Sequence, residues 1–301
     1  MKMKKITTKK ILKNTLIVLS SSVLLFLLTL FFSYLRPNEI LIIENLRLPI
    51  QEEILTSIGN YTIDNEYLND YINEEYRIDD GKNNVSLQDL RSYLEELKPG
   101  DIFFTNSGKY LSSLFIPGKW KHAAIYLGSK KQTRDFLGED SDLYKHLLTH
   151  YVNGDEILII DSSSHGVKIR EFDELSNLSS SSYLKSITAF RIKTSDKELS
   201  EFLTEARKQE GKAYDYDMIT ESNDYVYCSE LIYHSLKKIN LVINNRSLFL
   251  AREIITPNDA LYYIAKNEKT SNNFSFIFFI EKENGRIKNF SKNDLIIEIN
   301  P

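Results

Sequence analysis

The periods of apolar and polar positions change several times along this chain, and each change predicts an element. Thr15 to Leu35 is uncharged and largely apolar, preceded by Lys2, Lys4, Lys5, Lys9, Lys10 and Lys13 and closed by Arg36-Pro37. About 20 apolar residues at 1.5 Å each cover a hydrocarbon core, and a lysine block stays cytoplasmic by the positive-inside tendency. The run therefore predicts a single-pass transmembrane anchor over 15–36, with 1–14 cytoplasmic and the rest of the chain extracytoplasmic. A cleavable signal peptide has a shorter apolar region followed by small residues, and Phe31 to Pro37 offers no clear cleavage site. No cysteine follows the run, which excludes lipoprotein attachment there.

Residues 37–85 are rich in Asn, Glu, Asp and Tyr with weak periodicity, and Asp79 to Asn84 reads as a turn, so this stretch is expected to be a juxtamembrane spacer. From residue 86 to 301 the pattern is that of one α+β domain. Ser86 and Asp89 resemble a capping box for a helix carrying Leu87, Leu90, Leu94 and Leu97, stopped by Pro99-Gly100. Short apolar runs predict strands at 101–104, 122–127, 156–161, 167–170 and 187–192, which form most simply a small, mostly antiparallel sheet. Ser195 with Glu198 caps a further helix, Cys228 opens another, and Thr256-Pro257-Asn258-Asp259 has the N-cap, N1 proline and N3 acid of a third. The tail from Asn273 to Ile299 reads as β-like without a defined place.

Composition narrows the function classes. The chain has 301 residues, 42% of them hydrophobic, and a net charge of −4. That is ordinary for a globular core and, without a basic stripe in the body or a zinc-finger or RNA-binding signature, it excludes nucleic acid as an expected partner. No cofactor motif is present. Cys228 is the only cysteine, so no internal disulfide can form.

A lone cysteine is commonly a small buried hydrophobe. Cys228, however, stands where a loop gives way to a helix, in Tyr-Cys-Ser-Glu-Leu-Ile-Tyr (227–233). Unpaired N–H groups and the positive end of the helix dipole at such a place favour thiolate over thiol. A cysteine nucleophile needs a base within hydrogen-bond reach and a third group to orient that base. Of the five histidines, His234 lies six residues beyond Cys228 and points elsewhere on a helix. His146 and His150 share i,i+4 spacing on an expected helix, but Leu147 stands where a zincin motif carries glutamate, so a solvated helix face is expected rather than a metal site. His165 sits in the turn Ser-Ser-Ser-His-Gly. His122, at the start of a strand, is the remaining candidate. If Leu127 pairs with Glu156 in antiparallel register, His122 falls opposite Asp161; a slip of two residues makes them diagonal neighbours.

At these residues the chain resembles the permuted papain-like amidases of the YiiX/YaeF type, relatives of the NlpC-type cysteine peptidases. The resemblance lies in Leu-Lys-Pro-Gly-Asp-Ile-Phe-Phe (97–104), Trp-Lys-His-Ala-Ala-Ile-Tyr-Leu-Gly (120–128), Ile-Ile-Asp (159–161), Gly-Val-Lys-Ile-Arg (166–170), Gly-Lys-Ala-Tyr-Asp-Tyr (211–216), the cysteine segment and Ile-Thr-Pro-Asn-Asp (255–259). It implies a circularly permuted papain-like fold with Cys228 as nucleophile, His122 as general base and acid, and Asp161 as the group orienting the imidazole. At the third position family members often carry glutamate. Tyr214 and Tyr225 are candidate cleft-lining residues. The expected activity is that of a membrane-anchored cysteine hydrolase acting on a peptide or acyl-amide bond through a thioester. The alternatives are an acyltransferase of the same fold, acting on lipid or amine, and a binding module that retains the fold without catalysis.

Overall fold

The computed structural model describes residues 23–29, 31, 53, 82–107, 116–180, 182–216, 218, 224–249 and 252–299. Helix α1 (Leu87–Glu96) begins at Ser86, whose side chain accepts from Asp89 N while the Asp89 carboxylate accepts from Ser86 N, the reciprocal cap expected from the sequence. Leu90 and Leu94 form its buried face. Strand β1 (Ile102–Ser107) follows, then β2 (His122–Ser129), helices α2 (Lys130–Leu137) and α3 (Asp142–Leu147), and the hairpin of β3 (Ile157–Ser163) and β4 (Gly166–Glu171). A short 3-10 segment (Phe172–Asn177) leads into β5 (Leu184–Ile192). Helices α4 (Asp196–Lys208) and α5 (Cys228–Lys238), a ribbon of β6 (Ser247–Phe249) and β7 (Arg252–Ile254), and helix α6 (Pro257–Thr270) come next. The chain finishes with β8 (Phe274–Glu283), β9 (Arg286–Asn289) and α7 (Lys292–Ile299).

The main sheet has seven strands in the order β4-β3-β2-β1-β5-β8-β9, and every neighbouring pair is antiparallel. Alternation along the strands sends side chains to two dry faces. Ile102, Phe104, Ala123, Ile125, Leu127, Leu158 and Ile160 pack with Phe202 and Leu203 of α4, Leu231 and Leu236 of α5, and Leu261 and Ile264 of α6. Phe103, Ala124, Tyr126, Ile159, Ile187 and Ala189 pack with Leu90 and Leu94 of α1 and with Phe172 and Leu175. Burial of the central strands β1, β2, β3 and β5 on both faces explains why they read as short continuous apolar runs.

Two expectations need correction, and one helix was not expected. The tail is not wholly β-like: β8 pairs with β5, Ala189 facing Phe278, and β9 follows it, but the chain then turns helical in α7. Ser291 accepts from Asp294 N and its own N–H donates to the Asp294 carboxylate, a cap that a search for alternation passes over. The helix expected to carry both His146 and His150 ends at Leu147, and His150 stands in the following turn. Helix α2, capped by Ser129 and Gln132, lies in a stretch to which no element was assigned.

The chain divides into two units, Met1–Leu55 and Thr56–Pro301. In the first, residues 23–29 are helical, with Val23 to Leu28 exposed. No helix among the described residues is long and apolar enough to cross a membrane. Most of the expected anchor and nearly all of the expected spacer lie outside the described residues.

Phe104 has no exposed surface in β1, whereas Val152 is 81% exposed. Phe104→Ala is expected to lower unfolding free energy by about 3–5 kcal/mol through lost burial and a residual cavity, and Val152→Ala to change it by less than about 0.5 kcal/mol. Urea denaturation of the two variants checks this.

Candidate active site

His122 is the first residue of β2, and the segment before it is fixed on two sides. Trp120, fully buried, donates its backbone N–H to Asn258 Oδ1 of α6 at 2.9 Å, and Lys121 N donates to Thr105 O of β1 at 2.9 Å. The Trp120 ring meets Phe279 edge-on at 5.3 Å between centroids. The imidazole therefore projects from a rigid strand end.

The β2–β3 register differs by two residues from the one that places His122 opposite Asp161. Ala124 faces Asp161, and an irregularity between Tyr126 and Gly128 widens the offset by one further residue toward Ser129. The long connection between the strands sets no register, so packing decides it. His122 is then the diagonal neighbour of Asp161 on the same face, and His122 Nε2 lies 2.7 Å from Asp161 Oδ2. On the other flank, Lys168 of β4 faces Asp161, and Arg170 is again the diagonal neighbour. Arg170 donates from Nε to Oδ1 at 3.0 Å and from a terminal nitrogen to Oδ2 at 2.5 Å.

Asp161 has no exposed surface. Burial alone would raise its pKa, but the charge of Arg170 and the bonds from His122 and Arg170 outweigh it and hold the carboxyl ionised, far below its usual range. Burial likewise acts to lower the pKa of His122. Hydrogen bonds to Asp161 and to the Cys228 sulfur, with the negative charge of both, overcome it and raise the value from 6.5 to about 9. The imidazole thus stands between the carboxylate and the sulfur, with 21% of its side chain exposed.

Cys228 is the first residue of α5, 3% exposed, and α5 packs on β2 and β3. The loop before it is tied to β3: Ser162, next to Asp161 in sequence, donates its hydroxyl to Val226 O at 2.5 Å. Val226 N donates to Ala213 O at 3.0 Å. On the far side, Ser229 Oγ donates to Ile255 O at 2.7 Å, and Ile255 N donates to the Tyr227 hydroxyl at 3.2 Å. Glu230, fully buried in the first turn, accepts from Tyr227 N at 3.4 Å. His234 lies one turn along, with Nε2 3.3 Å from Glu230 Oε1.

A small cleft opens beside the thiol, and Ile116, Pro117, Tyr214, Met218, Ile254 and Pro257 are among the residues lining it with Cys228. Burial pushes the Tyr214 hydroxyl pKa well above its ordinary value, and the negative charge of Cys228 adds to this. Tyr225 does not line this cleft; it forms an isolated bridge with Ala213. Sequence reasoning missed Arg170. The turn signal from Ser162 to Gly166 contained it, since a tight β3–β4 hairpin fixes the pairing sum and puts Arg170 diagonal to Asp161.

The family model for the permuted papain-like amidase enzymes, YaeF/YiiX, C92 family, matches residues 96–277. The chain belongs to this family, whose members are papain-like amidases, and is therefore read as a cysteine hydrolase in the general sense. Among solved structures, a crystal structure of "metalloprotein yiiX" from Escherichia coli O157:H7 is similar at 12% identity, covering 64% of this chain and 96% of that one, with a TM-score of 0.37. No curated protein matches.

The His122 pKa carries a pH signature. Because the folded value of about 9 lies above the unfolded 6.5, its stabilisation is fully present below 6.5 and is lost as pH rises through about 9. In Asp161→Asn this loss is expected at lower pH, because the charged acceptor is gone. Urea midpoints measured from mildly acidic to alkaline pH, with a parallel NMR titration of the His122 ring, check the shift.

Proposed function

We propose that the protein is a membrane-anchored cysteine amidase in which Cys228 is the nucleophile, His122 the general base and acid, and Asp161 the orienting carboxylate. The observation that carries the reading is the placement of one imidazole between a fully buried carboxylate and a thiol at a helix N-terminus. In the proposed cycle the Cys228 sulfur attacks the amide carbonyl carbon, and the carbonyl electron pair moves to oxygen. The backbone N–H of Cys228, at a helix start where amides lack intrahelical acceptors, is a donor for that oxyanion. Collapse expels the amine, which takes its proton from the His122 imidazolium, and leaves an acyl thioester. His122 then removes a proton from water, the resulting oxygen attacks the thioester carbon, and the acid departs as the sulfur regains its negative charge.

Asp161 stays ionised throughout in this scheme, its charge matched by Arg170. Its part is to fix the ring and to favour the imidazolium that forms. The apolar side chains beside Cys228 suit an acyl or side-chain group without charge next to the scissile bond. The lysine block and apolar run of residues 2–35 support the anchored placement, with the catalytic unit outside the cytoplasm.

Hydrolysis of a panel of N-acyl amino acids and short peptides, followed by mass spectrometry, is expected to stop in Cys228→Ala and to fall by about 10³-fold or more in His122→Ala. Alkylation of Cys228 by iodoacetamide at neutral pH should slow in His122→Ala; equal rates would remove His122 from the mechanism. Acyl transfer to an added amine or lipid with no free acid would make the protein an acyltransferase, and absence of any turnover would leave a binding module. Protease added to spheroplasts is expected to digest the body of the chain; full protection would overturn the outward orientation.

A further inference from the structure

Away from Cys228, the fold assembles a second group of ligating side chains. The group is the one cluster among the described residues in which three or more His, Cys, Asp or Glu side chains come close enough to hold a metal ion: His146, His150 and Glu210. One donor atom from each lies within 4.8 Å of the others. His146 Nε2 is 2.6 Å from Glu210 Oε2, and His150 Nε2 is 3.4 Å from Glu210 Oε1, so each carboxylate oxygen already faces one imidazole. The two rings meet at a 61° angle with centroids 5.4 Å apart. All three side chains are about a quarter exposed, so a solvated ion can reach them.

The backbone holding these donors is preset. His146 lies in α3, and the following turn is closed by Thr149 N donating to His146 O and His150 N to Leu147 O, at 3.1 and 3.0 Å. Leu147 and Tyr151, buried in the core, anchor the turn on both sides. Glu210 follows the end of α4, where its N–H donates to Arg207 O, and Gly211 N and Val167 N exchange bonds with Val167 O and Lys212 O at 2.9 Å each. Gly166 permits this close approach at φ +80°; a Cβ there would collide with the Lys212 carbonyl. Three donors from two separate segments are thus brought together by the fold.

We propose that His146, His150 and Glu210 form a binding site for a borderline divalent transition-metal ion, zinc in the first instance. Two imidazoles and a carboxylate are a three-ligand zinc set with one position open to water. Zinc bonds of 2.0–2.1 Å in a tetrahedral site separate the donor atoms by about 3.3 Å, a spacing between the 2.6 Å of the His146–Glu210 contact and the 4.8 Å within which the three donors lie. His146 is the ligand that must adjust. Its Nε2 contacts Glu210 while Arg207 approaches its Nδ1 at 3.4 Å. On loading, the ring proton resides on Nδ1, Nε2 turns to the metal, and the exposed Arg207 guanidinium swings into solvent. The ion staples the α3 turn to the end of α4, so loading stabilises the fold.

The full-length chain, purified in detergent and stripped with a chelator, is titrated with Zn²⁺ against a chromophoric competitor. One ion per chain is expected, with a rise in melting temperature. His146→Gln, His150→Gln and Glu210→Gln are each expected to weaken binding by about 100-fold or more, since loss of an outer-shell partner alone costs 10–100-fold. Arg207→Ala, which removes a competing donor and a repelling charge, should bind at least as tightly, and Cys228→Ala should bind as the unmodified chain does. Co²⁺ added to the unmodified chain gives a readout independent of variant folding: visible d–d bands without a thiolate-to-metal charge-transfer band. Loss of the ion in Cys228→Ala, a thiolate band with Co²⁺, undiminished affinity in the three ligand variants, or no stoichiometric binding would each overturn the site.

Discussion

A carboxylate with no exposed surface is the feature on which the candidate active site depends. Asp161 gives up all of its water contact, and an isolated charge in that position would protonate or unfold its surroundings. It remains ionised because Arg170 grips both oxygens and His122 takes a further bond. Both partners reach it from diagonal positions on the flanking strands, β2 and β4. The register of three strands, and hence the packing on both faces of the sheet, is therefore coupled to one charge. Removing either partner strips the carboxylate of compensation in a low-dielectric setting, which is why the pair is stronger as a constraint on geometry than as a source of net stability.

The same strand addresses the other half of the site. Asp161 and Ser162 are adjacent, so their side chains leave β3 on opposite faces. One orients His122 and the other holds Val226, two residues before Cys228. A slip of one residue would exchange the two roles and send a carboxylate toward the thiol's loop. The proposed base and nucleophile are thus positioned by neighbouring residues of one rigid element. Chain order is immaterial to that relation, and so a permuted chain, with histidine before cysteine, can keep the spatial arrangement of its class.

Much of this was legible in local pattern. Ser86 with Asp89, Ser195 with Glu198 and Thr256 with Asp259 each formed the reciprocal cap their spacing announced, because such bonds involve only residues three apart. The strand carrying His122 and the helix opened by Cys228 were legible for the same reason. What escaped was set at a distance. The β2–β3 offset is decided across a connection with no tight turn, and the place of β8 beside β5 depends on which strand edge was left free. Glu210 joins His146 from 64 residues away, so no spacing rule on one helix could have found it.

Two histidine–carboxylate assemblies in one fold show how surroundings divide similar groups between different chemistries. Around His122 the carboxylate is dry and already neutralised by a guanidinium, so its lone pairs are committed, and the imidazole can pass its influence only to the neighbouring thiol. Around Glu210 the carboxylate is partly solvated and shared by two imidazoles, with Arg207 exposed and able to withdraw. A cation entering the first assembly would have to displace Arg170 from a buried pair. One entering the second exchanges partly solvated contacts for three donors. Proton transfer suits the closed assembly and metal coordination the open one, and the degree of burial of the carboxylate makes the difference.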